Sequence, residues 1–295
     1  MTTDLSSHAL ISPKQAARAL GVSESSLKRW CDDGKINVSR TPGGHRKMSA
    51  ADLFKFVRNN DVPLAAPELI GLPKAIGKKA IDIDQVQAEL TKALLGADEA
   101  TVQQLAFDLL INQTPIHQLF DSVLTPAMYE IGRQWECNEV DIYQERMGCE
   151  IIIRLLHQVR NLMPISKKNY VAIGGTLSGD NYAIPTTMVE LILRNQGINA
   201  TSMGTSIPGT SIVSAIENLK PNLVWLSASH IANREKFEHE FQLVSDSCDQ
   251  NNIVFLIGGI VLDARIRKQL NYSFFGDTMK HLDTFANSLF QTSQQ

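Results

Sequence analysis

From Tyr170 onward the chain repeats one pattern: a short apolar or β-branched run, a break rich in glycine and serine, then a helical stretch. The runs fall at residues 170–173, 200–203, 223–226, 253–257 and 274–275. Helices are predicted between them near 186–195, 210–219, 234–249 and 262–270, with 280–290 as the last. Strands that alternate with helices in this way specify a doubly wound, five-stranded parallel sheet. Ligands of such sheets sit outside the carboxyl ends of the strands. Here those ends are residues 174–185, 204–209, 227–233, 258–260 and 276–277, where glycines and serines let a ligand lie against backbone.

Residues 81–165 carry a helical period instead. Val86, Leu90 and Leu94 mark one helix, and Leu105, Leu109 and Leu110 a second, opened by Ala97-Asp98-Glu99. Leu119, Val123, Met128 and Ile131 mark a third, and Ile151, Ile152, Leu155, Leu156, Val159 and Leu162 a long fourth. Four helices with short connections predict a bundle. Residues 61–80 ahead of it hold Pro63, Pro67 and Pro73 and little helical period. That composition predicts a flexible or extended linker, along which the first sixty residues move freely.

Residues 1–60 read as a DNA-gripping module. Ser12-Pro13-Lys14-Gln15 combines a cap, a proline suited to the first helical position and a glutamine that completes a capping box. Gly21-Val22 turns the chain, and Ser23 caps a second helix over 24–32 that buries Leu27 and Trp30 and turns Ser25, Ser26, Lys28 and Arg29 outward. Two short helices about a tight turn follow the helix-turn-helix plan. Residues 35–46 then form a hairpin with Pro42-Gly43-Gly44 at its tip. Charge agrees: this segment holds 10 Lys+Arg against 5 Asp+Glu, a net of +5, in a chain of net −3, so the remainder carries −8. Attraction for phosphate is concentrated at one end. A single module of this size binds modestly, so a dimer on two-fold-symmetric duplex DNA is expected.

The helix pair followed by Thr41-Pro42-Gly43-Gly44-His45-Arg46 resembles the winged helix-turn-helix of the MerR family, over roughly residues 9 to 58. The resemblance implies that Ser25, Ser26, Lys28 and Arg29 face the major groove. It implies that Arg40, His45 and Arg46 touch DNA backbone or minor groove.

The order of head, bundle and α/β domain resembles the CarH/CarA/LitR group of repressors, whose last two domains form a cobalamin-binding module of flavodoxin-like type. In several members adenosylcobalamin is a light sensor. Ile131-Gly132-Arg133-Gln134-Trp135, Glu145 ten residues later, and Gly258-Gly259 carry the likeness. In the group the tryptophan covers the upper corrin face and the double glycine admits the nucleotide tail. The departures concern cobalt itself. The group's Asp-x-His-x-x-Gly, with its axial histidine, reads Asp180-Asn181-Tyr182-Ala183-Ile184-Pro185 here, and its Glu-His pair reads Glu145-Arg146. A neutral phenol is a poor cobalt ligand beside imidazole, and arginine has no lone pair to offer. His230, just after the third strand, is the candidate substitute; His117 and His157 fall in bundle helices with packed or surface roles.

Three readings follow. The first is a regulator, a repressor, whose module mediates oligomerisation, protein contact or sensing of another ligand without His-ligated adenosylcobalamin. The second is a light-sensing repressor that holds cobalamin without the axial histidine. The third is a corrinoid-dependent enzyme or methyl carrier, against which the DNA module argues. No catalytic constellation emerges, so no enzyme activity is expected. A bound ligand would be lined by Trp135, Glu145, Arg146, Asp180, Tyr182, Ser227, Ser229, Gly258 and Gly259. Arg146 adds a permanent charge suited to a carboxylate or phosphate, as on an anionic tetrapyrrole or nucleotide. Homo-oligomerisation through the bundle is expected, because the head lacks the long dimerising helix of many MerR proteins. Cys31, Cys137, Cys149 and Cys248 form no Cys-x-x-Cys pair, and no apolar run is long enough for a membrane span. A cytoplasmic protein without a structural metal site is expected.

Overall fold

The structure, a computed structural model, describes residues 10–60, 62–74, 76–77, 82–163 and 170–291. It divides into two compact units, Met1–Pro164 and Ile165–Gln295.

The first unit opens with α1 (Pro13–Ala19), whose Ser12–Gln15 capping box forms as predicted. α2 (Glu24–Asp32) starts at Ser23, whose hydroxyl accepts the Ser26 N–H at 3.1 Å. Strands β1 (Ser39–Arg40) and β2 (Arg46–Lys47) pair antiparallel as the wing, and Ser49 caps α3 (Ala50–Asn59). Leu20, Leu27, Ile36, Leu53 and Val57 close a small core. Trp30 is half-buried rather than interior, its ring 4.9 Å from that of Phe56.

The expected free linker is instead packed. The N–H groups of Ala65 and Ala66 donate to Ala19 O at 2.9 and 3.1 Å, a 3-10 turn covers Pro67–Ile70, and Ile70, Leu72 and Ile76 are buried. The prolines do not free the chain: Pro67 opens the 3-10 turn, and the apolar residues that follow it are buried. Residues 61, 75 and 78–80 of that segment lie outside the described residues. The head also locks onto the bundle. Phe54 meets Phe107 edge-on at 6.5 Å, the Arg58 guanidinium donates to Thr114 O, and Gln113 donates back to Arg58 O.

The bundle comprises α4 (Ile83–Leu95), α5 (Glu99–Ile111), a composite third helix and α8 (Ile142–Asn161). The third helix runs through α6 (Ile116–Leu119), a π-turn over Phe120–Leu124 and α7 (Thr125–Glu136). Periodicity alone reads this run as one helix. The reason for the wide turn is Pro126, which has no N–H and crowds the carbonyl four residues back.

The second unit is the predicted parallel sheet, in the order β4-β3-β5-β6-β7. The strands are β3 (Val171–Gly175), β4 (Asn199–Ser202), β5 (Leu223–Ser227), β6 (Val254–Gly258) and β7 (Phe274–Gly276). The helices are α9 (Ala183–Asn195), α10 (Gly209–Leu219), α11 (Arg234–Gln250), α12 (Ala264–Arg267) and α13 (Met279–Gln291). α12 is shorter than predicted: the N–H groups of Gln269 and Leu270 close tight turns that bring the chain to Ser273, which pairs with Phe255 O. Ile173, Val224, Leu226, Phe255 and Ile257 pack on one face with Ile212, Phe241 and Val244 of α10 and α11. The opposite face meets α9. Strand order reverses between β3 and β5, which is the switch point where such folds place ligands. Among the described residues no helix is long and apolar enough to cross a membrane.

Candidate functional site

In the head, Ser25, Lys28, Arg29, Arg40 and His45 are exposed and Ser26 is half-buried. The Ser25 and Ser26 hydroxyls each lie 2.9 Å from that of Ser23, so both also shape the start of α2. The wing tip is fixed by Thr41 N–H to His45 O at 2.9 Å and Gly44 N–H to Thr41 O at 2.8 Å. Gly44 sits at φ +78°, where a side chain is strained. Arg46 differs from its neighbours: only 21% exposed, it donates to Asp32 Oδ1 at 2.5 Å and reaches Lys28 O at 3.4 Å. It therefore ties the wing to the end of α2. Sequence reasoning passed over Asp32, whose only signal was an acid one turn after Lys28 and Arg29 at the close of α2.

At the end of the bundle Trp135 is 45% exposed, so it is not a core residue. Around it on α7, Arg133 and Gln134 hold the Glu130 carboxylate by hydrogen bonds that pull its pKa down to about 2. On α8, Ile142, Tyr143 and Met147 are exposed, and Arg146 lies 3.4 Å from the half-buried Glu145. The Cys149 thiol donates to Glu145, and burial together with that carboxylate pushes its pKa up to about 12. Burial also pushes Cys248 to about 12 and raises Cys31, whereas Cys137 is exposed. Brief iodoacetamide treatment of the native protein at pH 8 is thus expected to label Cys137 alone, with the other three reacting only in urea. Peptide mapping that found Cys149 labelled first would overturn the burial argument.

In the α/β unit Asp180 is 3% exposed and fully engaged. Its Oδ2 accepts the Ser229 and His230 N–H groups at 2.7 and 3.2 Å, and its Oδ1 accepts the Tyr182 N–H at 3.0 Å. Asp180 thus joins the loop after β3 to the loop after β5. Beneath it Ser227 is buried at the end of β5. Tyr182 is 49% exposed at the N-cap of α9, with His230 and Ile260 exposed on nearby strand-end loops. Gly259 adopts φ +130°, and a Cβ there would fall 2.0 Å from Ala228 O. Among the described residues no group of three His, Cys, Asp or Glu side chains is placed to hold a metal ion, His230 included.

Residues 10–61 match the family model of a helix-turn-helix domain, and residues 86–160 that of a B12 binding domain. Over 240 residues the chain is 24% identical to the HTH-type transcriptional repressor CarH of Myxococcus xanthus, covering 76% of this chain and 80% of that one. It is 21% identical over 251 residues to the repressor CarA of the same organism, covering 83% and 84%. The chain is a CarH-like regulator. The Methanosarcina barkeri monomethylamine corrinoid protein superposes with a TM-score of 0.57 at 15% identity, covering 70% of this chain and 100% of that one, which shows a shared fold.

With the CarH-like architecture in place, the side chains can be tested against the cofactor it implies. The bundle keeps an exposed tryptophan. The sheet edge does not suit a His-ligated cobalamin: Tyr182 stands at the N-cap of α9 where the resemblance puts an imidazole, while Gly259 lets the backbone of Ala228 approach closely as the β5–β6 pairing continues. Pro185, at the position of the group's glycine, is the third residue of α9, where helix N–H groups have no internal partner. Two residues bearing on this edge were missed in the sequence. Trp225 of β5 is 0% exposed, and its indole N–H donates to Thr186 of α9 at 2.9 Å. Nothing local in the sequence pairs this tryptophan with Gly174, which the sheet register sets beside it.

Proposed function

We propose that this CarH-like regulator represses transcription as a homo-oligomer on a two-fold operator, through a carboxyl-terminal module that works without His-ligated adenosylcobalamin. The observation that supports it most is the wing held to α2 by Arg46 and Asp32, ahead of a B12-binding-type helical domain. Lys28, Arg29, Arg40 and His45 then reach the duplex from one preformed surface, with Ser25 and Ser26 at the start of α2. Selection from a random duplex pool followed by gel shift tests the reading. The expected product is a pair of inverted half-sites bound with a steep salt dependence. No enrichment over input would sink it.

In this reading Asp180, Ser227, Gly258 and Gly259 organise the strand-end loops; Trp135, Glu145 and Arg146 on the bundle, and separately Tyr182 and Ser229 on the α/β unit, are the residues offered for ligand or protein contact. Arg146, 68% exposed and beside Glu145, makes at most a weak anion contact. Exposed Trp135 favours a second reading, in which cobalamin keeps its own base on cobalt and senses light. Four unpaired cysteines agree with a reducing, cytoplasmic setting. The CarH and CarA likeness favours a regulator over an enzyme.

A further inference from the structure

We infer that the switch-point crevice of the α/β unit is filled by the chain's own Trp225, beneath loops that Asp180 holds together, so that a histidine at position 182 does not by itself restore cobalamin uptake. The inference rests on reading this unit as a cobalamin-type module. Folds of this order place ligands in the gap between the loops that follow β3 and β5, where neighbouring connections run to opposite sides of the sheet. Here that gap is bridged. The Asp180 carboxylate takes two N–H groups from the β5 loop and one from its own. Its carbonyl takes the Thr176 hydroxyl at 2.6 Å and the Ser206 N–H at 3.0 Å, tying in the loop after β4 as well.

Below the bridge the space is solid. Trp225 lies so close against β3 that a Cβ on Gly174 would fall 2.1 Å from Trp225 Cδ2. Its indole N–H is satisfied by Thr186, itself 1% exposed. An open ligand crevice offers a void or polar groups awaiting a partner. Among the described residues no buried side-chain nitrogen or oxygen lacks one. The space over Gly174 is therefore taken by the Trp225 side chain. Loss of the axial histidine and filling of the crevice are separate barriers, and both must be removed.

The test compares full-length wild type, Tyr182→His, Trp225→Ala and the Tyr182→His/Trp225→Ala double variant. Each is incubated in the dark with adenosylcobalamin or hydroxocobalamin, desalted and scanned for absorbance. Wild type and Tyr182→His are expected to lose all corrin bands, and the double variant to keep them with the spectrum of a histidine-bound, base-off corrinoid. Where alanine prevents folding, Trp225→Leu replaces it with the same expectation. Corrin retained by wild type or by Tyr182→His alone overturns the inference, as does a folded double variant that retains none. A gel shift of wild type on the selected duplex is run in parallel. Its failure would sink the regulator reading whatever the spectra show, while normal DNA binding with retained corrin would sink only the closure.

Discussion

Alanine at Trp225 is expected to lower the stability of the α/β unit by about 3–5 kcal/mol, the largest effect of any single truncation near the sheet edge. The indole is fully buried, lies close against Gly174 and has its one polar atom paired, so truncation leaves a large cavity. Phenylalanine there keeps most of the contact and loses the hydrogen bond, for a cost of about 1–2 kcal/mol. Thr186 still has the Ser202 hydroxyl within 3.4 Å, which limits that cost. Because the chain has two units, the measurement must report on one of them. Cys248 is buried in α11, so the urea dependence of its labelling follows this unit. A midpoint change worth less than about 1 kcal/mol for Trp225→Ala would show that the site relaxes and the packing argument fails.

Alanine at Asp32 is expected to weaken DNA binding about tenfold although it removes a negative charge from the DNA-facing module. Simple Coulomb reasoning gives the opposite sign, since a lost carboxylate lessens repulsion of phosphate. The brace decides the direction: without Asp32 the Arg46 side chain lets go of α2 and the wing loses its set position. Arg46→Ala should produce a similar loss with the salt slope nearly unchanged. Arg40→Ala, at an exposed position, should instead flatten the log–log slope by about one. Tighter binding by Asp32→Ala in a gel-shift titration would return Arg46 to the role of a phosphate contact.

Much of this was legible in the sequence because local chemistry and fold agree. The Ser12–Gln15 box, the Ser23 cap and the Pro-Gly-Gly tip each fix their own few residues, and each forms as read. The parallel five-stranded sheet follows from alternation of short apolar runs with helices. What could not be read depends on partners distant in sequence. Nothing local distinguishes a packed linker from a free one: Ala65 and Ala66 are held by Ala19, more than forty residues away. Trp225 looked like a strand residue until β3 brought Gly174 against it. Arg46 looked like a surface cation until the wing folded back on Asp32. Asp180 was read as lining a ligand, and its bonds to the Ser229 and His230 N–H groups could not be read, because they join loops far apart in sequence.

The packed segment between head and bundle has a geometric consequence for the operator. A reading head on a loose tether samples many separations, and its two half-sites can then be spaced almost at will. Here Ala19 grips the connecting segment, Arg58 and Gln113 exchange hydrogen bonds, and Phe54 sits on Phe107. In an assembly of such chains the bundle acts as a ruler. In the proposed homo-oligomer it would set the distance and helical phase between half-sites, so that the protein would measure DNA length as well as read its bases.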